Sequence, residues 1–354
     1  MSYPPEQYLA NVLEQPKILQ SLVNCHQELE WSETLQDLWQ PLRGLPVLLT
    51  GMGASDSALW PLWFHLNQHG ILAQKVTASE LIHYLPNLLA RPGLCIVVSQ
   101  SGESIEIQRL AEQIHNHRSQ GQSTPTLVSL TTTSNNSLSR ESDLALYTEA
   151  GAEVGVATKT FTSTMGLLHL IGRCLTNQLT PATFEELTQI AAAQELLLQN
   201  WQQWMSPALE ALSEVKSYAL VGRGPSQAAV YDGALVLQEA VRRMAHGFSG
   251  GDFRHGPMEM LGPDLGVLLF NTPGGTLQLS QRLGQDVAQR GGTLVTVGPA
   301  ETVPAVHVPL PACSDMLMPM LEILPVQLLA HHVAGTLGLV PGNFQWSGKV
   351  ILHE

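Results

Sequence analysis

The sequence predicts an α/β protein built from two tandem, doubly wound parallel-sheet domains, with helical segments before the first and after the second. Three observations carry this. Short apolar runs alternate with helix-period segments, the pattern of a parallel sheet covered on both faces. The runs lead into loops rich in Gly, Ser, Thr or Asn. Strand–loop pairs then recur in the same order after about 170 residues, so one domain is written twice.

Residues 1–40 are expected to be helical, with Leu9, Val12, Leu13, Leu19, Leu22 and Val23 at helical spacing. Pro16 should divide this segment into two helices, and Pro41 should close it. The first domain, 41–181, has apolar runs at 47–50, 76–78, 95–98, 126–130 and 144–147. Helices are expected at 56–69, after Ser104, and at 157–178. Residues 182–215 read as linker helices without a strand. The second domain, 216–340, restarts the pattern with strands at 218–221, 267–270 and 293–297. Gly222-Arg223-Gly224-Pro225-Ser226 answers Gly51-Met52-Gly53-Ala54-Ser55, and Asn271 to Thr276 answers Ser99 to Ser104. Residues 341–354 form a C-terminal tail.

Composition narrows the partners. The 354 residues carry 17 Lys and Arg against 30 Asp and Glu, a net charge of −13. With no basic run, a nucleic-acid partner is not expected. The longest apolar tract, 316–340, contains Glu322, Pro325, Gln327, His331 and His332, which suit a buried helix and not a bilayer span. Met1 to Glu6 lacks a basic-then-apolar signal pattern, so a soluble, cytoplasmic protein is expected. Cys25, Cys95, Cys174 and Cys313 show no C-x-x-C spacing and read as small buried apolar residues, not as disulfides or a zinc site. His115-x-His117 and His331-His332 lack companions at ligand spacing, so no metal and no cofactor is expected.

The loop Ser99-Gln100-Ser101-Gly102-Glu103-Ser104 follows a buried strand and precedes a helix with Ile107, Leu110, Ala111 and Ile114 on one stripe. Such a turn can hold a phosphate on helix N–H groups and hydroxyls, or it can be a helix capped in the ordinary way. In the second copy Pro273 removes a donor, so a single phosphate would belong to the first. The Gly51-x-Gly53 and Gly222-x-Gly224 pairs lack the third glycine of a dinucleotide fingerprint and read as tight strand-to-helix turns. Glu239 lies among Leu235, Val236 and Ala240, which could desolvate it into a general base; otherwise it is an exposed helix glutamate. His255 sits among Gly250, Gly251, Gly256 and Pro257, a backbone shaped to present a proton-transfer group or a hydrogen-bonded loop histidine.

Together with Arg140-Glu141-Ser142-Asp143 and Glu153-Val154-Gly155-Val156-Ala157-Thr158-Lys159, these motifs resemble the isomerase half of glucosamine-6-phosphate synthase. That half consists of two flavodoxin-like sugar isomerase (SIS) domains. The resemblance runs from about residue 40 to Glu354. It implies that Gly53, Ser55, Ser99, Gln100, Ser101 and Ser104 surround a sugar phosphate and that the Val156 backbone lines the sugar. It also implies that Glu239 is the base moving a proton between C1 and C2, and that His255 opens the ring from the partner subunit of a homodimer. Lys349 matches the tail lysine that contacts the sugar carbonyl, for which desolvation should depress its pKa.

Three departures shape the expectation. Nothing resembling a glutaminase domain precedes the pair, and Ser2 follows Met1 where that domain has its cysteine, so glutamine is not expected as nitrogen source. Val236 stands where the synthase has a lysine. Ala54 replaces a threonine beside the phosphate, removing one donor worth about 1 kcal/mol. The expected activity is a phosphosugar aldose–ketose isomerase and deaminase acting on a 6-phosphorylated amino sugar. The alternatives are a phosphosugar-binding regulator without turnover and a fructosamine-phosphate deglycase.

Overall fold

The computed structural model describes residues 6–299, 303–346 and 348–353. Met1 to Pro5, on which most of the signal-peptide reading and the Ser2 comparison rest, and Glu354 lie outside these.

Two compact units account for the chain, and neither is one uninterrupted stretch. The first comprises Lys17–Glu153, Lys159–Thr188 and the tail from Trp346; the second comprises the segment up to Pro16, Val154–Thr158 and Gln189–Gln345.

The first unit contains strands β1 (Val47–Thr50), β2 (Ala73–Lys75), β3 (Leu94–Val98), β4 (Thr126–Thr131) and β5 (Leu144–Tyr147). They form one parallel sheet in the order β2-β1-β3-β4-β5. β1 and β3 are buried along their whole length because helices cover both faces. On one face, Leu48, Cys95, Val97 and Leu127 pack with Ile107, Leu110 and Ile114 of helix Ile105–Ser119, the stripe legible in the sequence.

The second unit repeats this plan with β6 (Ser217–Gly222), β7 (Met244–Ser249), β8 (Leu265–Phe270), β9 (Thr293–Gly298) and β10 (Val306–Pro309). The order β10-β9-β8-β6-β7 is the first order read from the other edge, again all parallel. Ala219, Val221, Val267 and Leu269 pack against Leu283 and Val287 of helix Leu277–Gln289. Two α/β units of one topology bear out the duplication, and 2-1-3-4-5 is the flavodoxin-like order.

Several local expectations are corrected. The strand placed at 76–78 is β2 at Ala73–Lys75, and residue 78 already starts a helix. The helix expected at 56–69 breaks into Ala54–Ser57 and Trp60–Gln68, because Pro61 has no N–H and fits only a first turn. For the same reason Pro16 lies in the first turn of Gln15–His26, and the break falls at Glu14; a third helix, Glu30–Trp39, follows. Of the four cysteines, all free, Cys95 and Cys174 are buried, Cys313 is half-buried and Cys25 is exposed. The 316–340 tract is helix Pro319–Thr336, with Glu322 and Gln327 fully buried. Among the described residues no helix is long and apolar enough to cross a membrane.

Candidate functional site

β1 and β3 are neighbours, with Thr50 beside Val97. The chain leaves β1 to the edge strand β2 and leaves β3 to β4 on the other side, so a crevice opens between their carboxyl ends. Two loops meet there. Gly51 to Ser55 follows β1, with Gly53 at φ 54°. Ser99 to Ser104 follows β3. The two approach so closely that a Cβ on Gly51 would stand 3.0 Å from the Val98 carbonyl oxygen.

The hydrogen bonds inside the second loop define its chemistry. The Gly102 N–H donates to Ser99 Oγ at 3.1 Å, and the Glu103 N–H donates to Ser101 Oγ at 3.1 Å. A hydroxyl that accepts from the backbone still has its own proton to give. Ser104 takes the extended cap conformation before helix Ile105–Ser119, yet its side chain makes no capping bond. Ser55 and Gln100 are half-buried beside it. Among the described residues no acceptor takes the protons of Ser55, Ser99, Ser101 or Ser104. These donors lie on the two loops that follow the neighbouring strands β1 and β3, beside a helix N-terminus, an arrangement suited to an oxyanion.

The loop is held rigidly. Gly102 has φ 68°, and a Cβ there would fall 2.1 Å from Asn136 Oδ1. Glu103 turns away from the crevice and accepts from the Ser137 N–H at 2.7 Å, Ser137 Oγ at 2.8 Å and Gln108 Nε2 at 2.8 Å. Burial works to raise its pKa, but the bonds from Gln108 and Ser137 outweigh this and hold it below the usual carboxylate range.

The tail completes this unit. The Ile351 carbonyl accepts from the Ile105 N–H at 2.9 Å, so one of the helix donors expected to face an anion is already taken. Lys349 Nζ lies 2.9 Å from Glu153 Oε2, the glutamate side chain being inaccessible and the lysine side chain 19% exposed. Glu153 also accepts from the Thr160 N–H at 3.3 Å and from Thr160 Oγ1, at the start of helix Lys159–Leu175. Sequence reasoning gave Glu153 no role. Its signal was a carboxylate a few residues before a helix start, where the helix dipole favours an anion.

The other expected residues lie in the second unit. Glu239 is half-buried on helix Gln227–Val241, with Val236 and Ala240 buried beside it. Asp232, two turns earlier on the same face, is fully buried. His255 is exposed in a turn closed by its N–H to the Asp252 carbonyl at 2.9 Å, before Gly256 at φ 127°. Val156 is buried in a segment whose preceding residue, Gly155 (φ 79°), packs against the Gly342 backbone. The structure thus places the Gly51–Ser55 and Ser99–Ser104 loops and Lys349 within one unit and Glu239, His255 and Val156 within the other. Among the described residues no group of three His, Cys, Asp or Glu is placed to hold a metal ion.

Comparison with known proteins agrees with this fold. Residues 46–172 match the SIS domain model. The glutamine–fructose-6-phosphate aminotransferase (isomerizing) of Thermosynechococcus vestitus is 26% identical over 94% of this chain and 56% of its own length. Among solved structures, the C-terminal domain of glucosamine-fructose-6-phosphate aminotransferase from Francisella tularensis gives a TM-score of 0.82 at 22% identity, covering 99% of this chain and 100% of that one. Glucosamine-6-phosphate deaminase from Thermotoga maritima gives 0.72 at 18% identity, covering 96% and 100%. The chain carries a SIS domain at residues 46–172 and is similar over nearly all its length to isomerizing glutamine–fructose-6-phosphate aminotransferases, of which it spans about half.

Proposed function

We propose that the chain is a phosphosugar aldose–ketose isomerase that acts on a 6-phosphorylated amino sugar and releases ammonia. One observation carries the reading: at the switch point of the first sheet, the Ser99 and Ser101 hydroxyls accept from their own loop and keep their protons for an incoming anion. The phosphate anchors one end of an open-chain sugar there. Glu239 then removes the proton from C2 and returns it to C1, converting the 2-amino aldehyde to a 2-imino compound. Water hydrolyses the imine to the ketose phosphate and ammonia. His255 protonates the ring oxygen, acting from a partner copy in a homodimer, and Lys349 addresses the carbonyl. The deaminase of similar fold and the isomerizing aminotransferases support this substrate class.

The test is incubation with glucosamine 6-phosphate in deuterated water, following ammonia, fructose 6-phosphate and deuterium at C1. Products should form, and Glu239→Gln should lower the rate by about 100-fold or more, the range for losing a general base. A folded protein that neither turns over nor exchanges deuterium on any hexose or hexosamine 6-phosphate would refute the proposal. That result would favour a phosphosugar-binding role, the reading supported by Lys349 being held in an ion pair with Glu153.

A further inference from the structure

The duplicated unit has the same crevice, between the carboxyl ends of β6 and β8. Ser226 ends the turn after β6, in the position that Ser55 holds after β1, and Thr272 lies in the loop after β8 that answers Ser99 to Ser104. The site is filled from within. Glu322, fully buried near the start of helix Pro319–Thr336, directs Oε1 to both hydroxyls, 3.0 Å from Ser226 Oγ and 2.6 Å from Thr272 Oγ1. The two hydroxyls lie 2.5 Å from each other. Glu322 Oε2 has no hydrogen-bond partner among the described residues.

The geometry points to a second oxyanion cradle, at Ser226 and Thr272, that the chain occupies with its own Glu322 carboxyl. The first unit leaves its loop hydroxyls free to donate; the second satisfies the equivalent ones with a side chain carried on its last helix. A buried carboxyl is an expensive way to fill an apolar crevice, since a hydrocarbon side chain would need no partners. Its presence at two hydroxyls makes sense where the crevice is already built for oxygen ligands. Duplication then yields one open oxyanion site instead of two. The plug also ties the start of helix Gln227–Val241, which carries Glu239, to helix Pro319–Thr336.

The test opens the cradle in the full chain with Glu322→Ala and supplies acetate or inorganic phosphate. At least one of the two should raise the variant's thermal midpoint by several degrees beyond its effect on wild type, through binding to the folded state alone. Crystals of the variant soaked in that anion should show it between Ser226 and Thr272. Adding Ser226→Ala should abolish both effects. If the alanine variant does not fold, Glu322→Ser, which restores a hydroxyl, takes its place. A folded variant that neither anion stabilises, or a wild-type crystal with an external anion on Ser226 and Thr272, would overturn the inference.

Discussion

Glu322→Gln isolates the energetic consequence of a carboxyl group buried in the second sheet's crevice. Burial raises the Glu322 pKa from the ordinary carboxylic value to about 7, against smaller lowering contributions from the Thr272 and Ser226 hydroxyls. Oε1 accepts from both hydroxyls, at 3.0 Å from Ser226 Oγ and 2.6 Å from Thr272 Oγ1. Because the folded pKa is the higher one, the proton favours the fold. The stabilisation is complete below the unfolded value and is lost as pH rises through 7. At 1.36 kcal/mol per pH unit, this group should lower wild-type stability by about 3 kcal/mol between pH 4.5 and pH 8. Glutamine keeps the shape and cannot ionise. Urea unfolding at pH 5 and pH 8 should therefore show a drop in wild type that exceeds the drop in the variant by about 2 to 3 kcal/mol. Parallel pH dependences in the two proteins would refute the reasoning, because every other titrating group is common to both.

Two further outcomes bear on the site. Ser101→Ala removes a hydroxyl whose proton is free for an anion, and should raise KM for a 6-phosphosugar about 10-fold, the worth of one hydrogen bond to a charged group, with a smaller change in kcat; an unchanged KM would exclude Ser101 from the phosphate contact. Gly155→Ala combines a residue at φ 79° with a Cβ 2.5 Å from Gly342 Cα, where neither backbone can yield as a flexible side chain would. It should cost about 1 to 3 kcal/mol and loosen the segment entering the tail, read as faster proteolysis after residue 340.

How legible each element was depends on where it sits in its sheet. β3 and β8 are central, covered on both faces and continuously apolar, so each announced itself as a run. β7 and β10 are edge strands without a continuous apolar run, and so were missed. β7 alternates exposed Met244 and His246 with buried Ala245 and Gly247, and β10 is four residues ending in Pro309. The helix stripe after Ser104 was readable because its period is local. The Ser99–Ser104 loop was readable as residue types, but which atoms retain free protons was not. That depends on Gly102 and Glu103 folding back onto Ser99 and Ser101. Glu153 and Glu322 were invisible as functional groups for another reason: their partners lie far away in sequence, Lys349 for one and Ser226 and Thr272 for the other.

The carbonyl of Ile351 on the Ile105 N–H ties the tail to the helix that follows the Ser99–Ser104 loop. The helix end that an anion would address also holds the segment that delivers Lys349. If the loop captures an anion as proposed, tail docking and anion capture are linked equilibria, and linkage is reciprocal. Any factor by which a docked tail changes the affinity for phosphate is the factor by which phosphate changes the docked fraction of the tail. On the proposed function, substrate on the loop would thereby bias the docking of the segment that carries Lys349.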